Sequence, residues 1–313
     1  MHMLWKCKIY NKIERKPKTL MEKIVAIIGT TASKKSDLGI FLAQKFNGEI
    51  VSCDSRQVYK GLDLGSGKVT KEEQKQAVHH MLDVVEPGQK YSVADFQKQA
   101  YKCIDDILSR GKLPILVGGT GLYVRAITDG YNFANVKPNE EFRKKLETLS
   151  REQLVEYAVN LGENENEAKK FSPAHLVRRI EKLLAGAEQK QNEPKYEVLK
   201  VGLTFPREIL HERIKQRIDV RLPLGMIQEV QNLLNSGVSA EFLDSLGLEY
   251  RYISRYLTGK ISYDEFYQNL QKDTNAFAKR QMTWFKKDDP IWLDTSKDIN
   301  KQASKIVADF LKK

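Results

Sequence analysis

The chain has 313 residues, 41% of them hydrophobic, which is enough for about two domains and a sizeable core. Its formal net charge of +11, from 52 Lys and Arg against 41 Asp and Glu, suits a polyanionic partner such as nucleic acid, and equally an ordinary lysine-rich surface. Cys7, Cys53 and Cys103 lie far apart without a C-x-x-C pair, so no zinc site or disulfide framework is expected and a reducing cytoplasm is; no apolar run nears the roughly 18 residues of a membrane span, so no membrane helix is expected.

Residues 1–20 are basic, lack apolar periodicity and contain no secretory h-region; they read as a disordered leader or an upstream start. Ile24 to Ile28 are apolar and mostly β-branched, a short strand buried on both faces. The small-residue loop Gly29, Thr30, Thr31, Ala32 and Ser33 follows. Then come Lys34, Lys35 and Ser36, and the apolar positions Leu38, Phe41 and Leu42 take up helical spacing. Strand, small-residue loop, Lys-Ser, helix is the order of a phosphate-binding loop. Backbone N–H groups at the helix N-terminus face an anion, Lys35 adds a point charge, and the Ser36 hydroxyl can hold Mg²⁺. Lys34 stands where G-x-x-x-x-G-K-[ST] has its second glycine, whose missing Cβ lets the backbone approach a phosphate. The competing reading is a strand–loop–helix without a ligand.

Ile50 to Cys53 forms a second predicted strand with Asp54 at its carboxyl end, where open α/β sheets bind ligands. An acid there can bind Mg²⁺ or act as a general base, or simply cap the next turn. Asp63 to Lys68 is a glycine-rich loop. The adjacent His79 and His80 point to opposite sides of an extended strand and make a poor metal pair, so a structural role is expected. Ser92 and Asp95 cap a helix that runs to about Arg110. Ile115 to Val117 repeats the strand pattern before Gly118, Gly119 and Gly121, and Thr120 offers a hydroxyl on the same rim. From Gly130 to Pro194 the sequence turns charged and helical, with helices expected over 140–150, 151–161, 164–171 and 173–186. Tyr196 to Leu203 returns to the sheet, and Pro206 opens a helix that carries Arg213 and Arg217 on one face. The last third is helical and basic. Its Phe277, Trp284 and Phe285, interleaved with Lys279 and Arg280, suit unstacked RNA bases, or else belong to the core. Ile291 to Leu293 reads as a last strand before a closing helix. The fold class expected is therefore α/β: a P-loop, kinase-like parallel-sheet core over 21–129 and 195–313, with an all-helical insertion over 130–194.

These motifs, in this order, resemble the tRNA dimethylallyltransferase family: G-T-T-A-S-K-K-S, D-S-R-Q-V-Y-K-G, H-H-M-L-D, Y-S-V-A-D-F, G-G-T-G-L-Y, the L-x-x-R-I-x-x-R run at Leu210 to Arg217, and A-K-R-Q-M-T-W-F. The resemblance runs from about Lys23 to the end. It implies transfer of a dimethylallyl group from dimethylallyl diphosphate to the N6 amine of adenosine-37 beside the anticodon, in a cytoplasmic monomer that uses Mg²⁺. It implies that Gly29 to Ser36 and Arg213 bind the diphosphate, with Mg²⁺ on Ser36, and that the helical insertion grips tRNA. The catalytic residues would be Asp54 as the base, Thr120 near the attacked carbon, and Arg217 on the leaving group. It places tRNA contacts at Asp54, Ser55, Arg56 and Gln57, at Arg143 and Arg178 in the insertion, and at Lys279, Arg280 and Gln281.

The chain departs from the family pattern at Lys34. It departs also at Ala174 to Glu181, which keeps Arg178 but not the Gln and first Arg of Q-R-L-x-R-A-L-E. Gly247 to Tyr250 stands in place of G-Y-[KR]-[EQ], and Thr274-Asn275 in place of T-R. No zinc-finger tail follows, which matches bacterial forms. The alternatives are a tRNA-binding homologue weakened by Lys34 and an ATP-binding P-loop nucleotide kinase.

Overall fold

A computed structural model describes residues 21–133, 136, 138–186 and 193–313; the expected leader and Cys7 lie outside them. Its centre is a six-stranded parallel sheet in the order β3-β2-β4-β1-β5-β6. The strands are β1 (Lys23–Gly29), β2 (Gly48–Ser52), β3 (His79–His80), β4 (Leu113–Gly118), β5 (Glu197–Leu203) and β6 (Ile291–Trp292). β1 lies in the middle, with Val25 opposite Ile115 of β4 on one side and Leu199 of β5 on the other.

Parallel strands covered on both faces must be apolar on both. Ile24 to Ile28 are accordingly 0% exposed. Ile24, Ala26 and Ile28 join one core with Phe96, Ile104, Val124 and Phe285. Val25 and Ile27 join a second with Leu38, Leu42, Ala303 and Val307. The helices α3 (Val93–Ser109), α4 (Gly121–Thr128) and α13 (Tyr263–Phe285) therefore cover one face, and α1 (Lys35–Lys45) and α14 (Ile299–Lys312) the other. β2 starts two residues before the expected strand; Cys53 still donates its N–H to the Val117 carbonyl at 2.8 Å, so pairing continues to the edge of Asp54. Ser92 and Asp95 form the expected capping box on α3.

A short helix the sequence did not suggest, α2 (Lys71–Gln76), follows the glycine-rich loop. The insertion contains α5 (Glu140–Glu147), α6 (Arg151–Asn160), α7 (Glu165–Ala168) and α8 (Pro173–Leu184). These pack on a small cluster of their own, with Leu146, Leu154, Ala158 and Leu176 at its centre. The chain then runs through β5 and α9 (Arg207–Arg221), α10 (Met226–Asn235), α11 (Ala240–Leu246) and α12 (Leu248–Leu257) to α13. Among the described residues no helix is long and apolar enough to cross a membrane.

Candidate active site at the carboxyl rim of the sheet

The loops after β1, β2 and β4 leave the sheet on the same rim, and there they border a cavity of about 450 Å³. β1 ends at Gly29, whose φ of 152° and closeness to β5 require glycine: a Cβ would stand 1.9 Å from the Leu203 carbonyl oxygen. The loop then turns through two left-handed residues, Ala32 (φ 58°) and Lys34 (φ 63°). Ser33 is fully buried and donates to the Thr30 carbonyl at 2.8 Å, so its hydroxyl holds the loop together. Lys34 is the N-cap residue of α1, and its side chain is exposed. It adopts the left-handed conformation that a glycine takes without penalty, at a cost of about 1 kcal/mol.

Lys35, Ser36 and Thr31 all line the cavity. The Lys35 ammonium donates to the Thr30 carbonyl. Burial and the neighbouring Arg217 pull its pKa down to about 7, against the opposing pull of Asp54. Asp54 lines the same cavity. Its Oδ1 accepts the N–H groups of Arg56 at 2.9 Å and Gln57 at 3.4 Å, an Asx turn that fixes the carboxylate. The capping and functional readings of Asp54 are thus compatible, because Oδ2 has no hydrogen bond with a described residue.

Thr120 does not line the cavity. It stands behind the Asp54 turn, where its hydroxyl accepts the Ser55 N–H at 3.1 Å and its own N–H donates to the Cys53 carbonyl at 3.2 Å. Arg217 reaches the phosphate loop, donating to the Thr31 hydroxyl at 2.9 Å and to Glu249 at 3.4 Å. Arg213, one turn earlier on α9, does not line the cavity: Phe205 intercepts its guanidinium, with the ring centroid 3.8 Å away.

The residues matched to tRNA contacts fall into three settings. Arg56 donates to the Leu246 carbonyl and lies over Phe277, and Arg280 lies over the same ring while Lys279 is exposed beside it. Gln57 and Gln281 are held by the fold. Gln57 accepts from Ser52 and donates to the Gly67 carbonyl. Gln281 is 6% exposed, accepts the Thr31 N–H at 2.7 Å and donates to the Gly119 carbonyl at 2.9 Å. Arg143 and Arg178 both bond Glu181, and Arg178 also donates to the Val136 carbonyl. Glu181 is buried, which opposes its charge, but these hydrogen bonds prevail and hold its pKa near 2.

Of the three aromatics read from the sequence, Phe285 belongs to the core, whereas Trp284 is 39% exposed under the Arg125 guanidinium. His79 and His80 take structural partners: His79 Nδ1 pairs with the Ala77 carbonyl and His80 Nε2 with Glu49. Sequence reasoning missed Arg221 and Glu249, which also line the cavity. The i, i+4 spacing that linked Arg213 and Arg217 extends to Arg221 and was the available signal.

Two family models match this chain: "IPP transferase" over residues 57–288 and "Isopentenyl transferase" over residues 22–87. A tRNA dimethylallyltransferase from Carboxydothermus hydrogenoformans is 42% identical over 305 residues, covering 93% of this chain and 98% of the relative. A tRNA dimethylallyltransferase 2 from Shewanella sediminis is 40% identical over 92% of this chain and 98% of its own. The full-length tRNA isopentenylpyrophosphate transferase from Bacillus halodurans superposes with a TM-score of 0.71 at 34% identity, over 93% of this chain and 96% of that one. A eukaryotic dimethylallyltransferase crystallised acting on tRNA gives a TM-score of 0.77 at 27% identity, over 93% of this chain and 80% of that one. With relatives about 40% identical over nearly the whole chain, the chain belongs to the tRNA dimethylallyltransferase family.

Proposed function

We propose that this protein transfers the dimethylallyl group of dimethylallyl diphosphate to the N6 amine of the adenosine beside the anticodon, adenosine-37, and yields N6-isopentenyladenosine and diphosphate. The observation that carries the reading is the single cavity in which a helix-N-terminal loop, Lys35 and Arg217 face the Asp54 carboxylate. The allylic C–O bond breaks and its electrons stay on the diphosphate. Lys35, Arg217 and the first N–H groups of α1 stabilise that growing negative charge. The amine nitrogen forms the new C–N bond and its proton passes to Asp54, whose turn keeps the carboxylate aimed at the rim. Thr120 acts through Ser55 to hold that turn.

The donor set fits Mg²⁺. Among the described residues no three His, Cys, Asp or Glu side chains cluster around a metal position. Mg²⁺ is commonly held by one or two protein groups together with substrate phosphates. Ser36, on the first turn of α1, would supply the hydroxyl. The ion would neutralise diphosphate charge when bound.

Arg56, Phe277, Arg280, Lys279 and Trp284 form the mixed basic and aromatic surface we assign to the splayed anticodon loop. Arg143 and Arg178 would meet RNA from the insertion only with the face not turned to Glu181.

The test is nucleoside mass spectrometry after incubation with Mg²⁺, dimethylallyl diphosphate and an unmodified anticodon stem-loop bearing an A-A-A run. N6-isopentenyladenosine in the digest is the expected result. ATP cleavage without that product would favour a nucleotide kinase, and stem-loop binding without product a weakened homologue.

A further inference from the structure

Arg221 is the last residue of α9, one turn beyond Arg217, and lines the same cavity. No described residue gives its guanidinium a hydrogen bond or an ion pair within 4.0 Å. The carboxylates nearby are already engaged. Glu249 receives Arg217, and Glu229 receives the N–H groups of Asp63, Leu64 and Gly65 and the Tyr250 hydroxyl. The head group lies against the loop at Gly67, where a Cβ would stand 2.1 Å from Nη2, and Glu229 and Tyr250 hydrogen-bond that loop. Burial, and then repulsion from Arg217, bring its pKa down to about 9, against the opposing pull of Glu249, Tyr250 and Glu229. A desolvated charge without a hydrogen-bonded partner destabilises a fold unless a ligand compensates it.

We infer that Arg221 is a second guanidinium for the diphosphate, so that the leaving group meets Lys35 and the α1 N-terminus from the phosphate loop and Arg217 and Arg221 from α9. This rests on the transferase reading of the cavity. Two arginines one helical turn apart suit an anion with several charged oxygens better than a single phosphate. Contact with the Gly67 loop also limits the freedom of the head group before the ligand arrives, which lowers the ordering cost of binding.

The experiment compares the full chain with Arg221→Met and Arg221→Lys. Titration calorimetry measures inorganic diphosphate and inorganic phosphate, filter binding measures the anticodon stem-loop, and single-turnover assays measure prenyl transfer. Arg221→Met should weaken diphosphate at least about tenfold, and leave inorganic phosphate and stem-loop affinity within about twofold. It should slow single-turnover transfer, and Arg221→Lys should recover part of both losses. The Tm of Arg221→Met should not fall, because a partly buried charge without a hydrogen-bonded partner is removed. Diphosphate affinity within about twofold of the parent chain would overturn the inference. So would a loss confined to the stem-loop with the salt slope reduced by about one, which would assign Arg221 to an RNA phosphate. A parent chain that binds diphosphate but transfers no prenyl group would sink the transferase reading, while the calorimetric comparison would still decide the role of Arg221.

Discussion

Lys34 carries backbone strain and no buried contact. Its φ of 63° and ψ of 34° are those of a left-handed glycine, and its side chain projects into solvent at the mouth of the cavity. The lysine therefore costs conformational energy in the loop, and it lines the cavity with a solvent-exposed side chain. Lys34→Gly should relieve about 1 kcal/mol of strain and give back part of it through unfolded-state entropy. A small rise in Tm is expected, with a transfer rate within about tenfold of the parent, less than ~1.4 kcal/mol in the barrier. A rate gain of several orders of magnitude would mean that Lys34 obstructs the site. Lys35 gives a pH signature. Its pKa of about 7 lies below the ordinary lysine value, so in the free protein it loses its proton as pH rises through 7. A bound diphosphate favours the charged form, so binding takes up a proton above that pH. The last proton of an esterified phosphate end leaves near pH 6, so the charge of dimethylallyl diphosphate is nearly constant above pH 7. Its affinity should therefore fall between pH 7 and 8, by up to about tenfold, and this fall should be lost in Lys35→Arg; any further fall toward pH 9 belongs to Arg221, whose pKa is about 9. Calorimetric titrations across that range measure both.

At the level of elements, α13 does more than cover the sheet. Gln281 ties the N–H of Thr31 to the carbonyl of Gly119, joining the loops after β1 and β4 through one buried amide. Gln281→Ala leaves both groups unpaired in a buried setting, which costs about 1–3 kcal/mol. Both Tm and kcat/KM for dimethylallyl diphosphate should fall, with stem-loop affinity nearly unchanged. A residue that only touched RNA would give the reverse pattern. The strands and the capped α3 were legible because each is coded within about twenty neighbouring residues by periodicity and capping chemistry. The Gln281 bridge was not, since it joins positions 250 and 162 residues apart. Arg213 looked equivalent to Arg217 for the same reason: helical spacing gives the shared face, but only the fold shows that Phe205 stands in front of one of them. The short α2 and β3 carry little apolar signal and owe their form to the sheet edge they complete.

Across the whole molecule, the rim chemistry depends on distant parts of the chain converging. Arg217 lies 186 residues from its partner Thr31, and the helical insertion separates the strands on either side of β1 in sequence while leaving them hydrogen-bonded to it in space. The insertion packs on its own cluster, and there Arg143 and Arg178 both bond Glu181. The family is legible from contiguous motifs, whereas the pairing of basic residues with internal acids needs the folded chain.

The proposed mechanism turns on Asp54 as the group that takes the amine proton. The most direct measurement is single-turnover transfer to a prebound anticodon stem-loop by Asp54→Asn, which keeps an oxygen to accept the Arg56 N–H. A rate lower by roughly 10²–10⁴, with stem-loop and diphosphate affinities within a few-fold, is the predicted result. A rate near that of the parent chain would show that the proton leaves by another route and would contradict the mechanism.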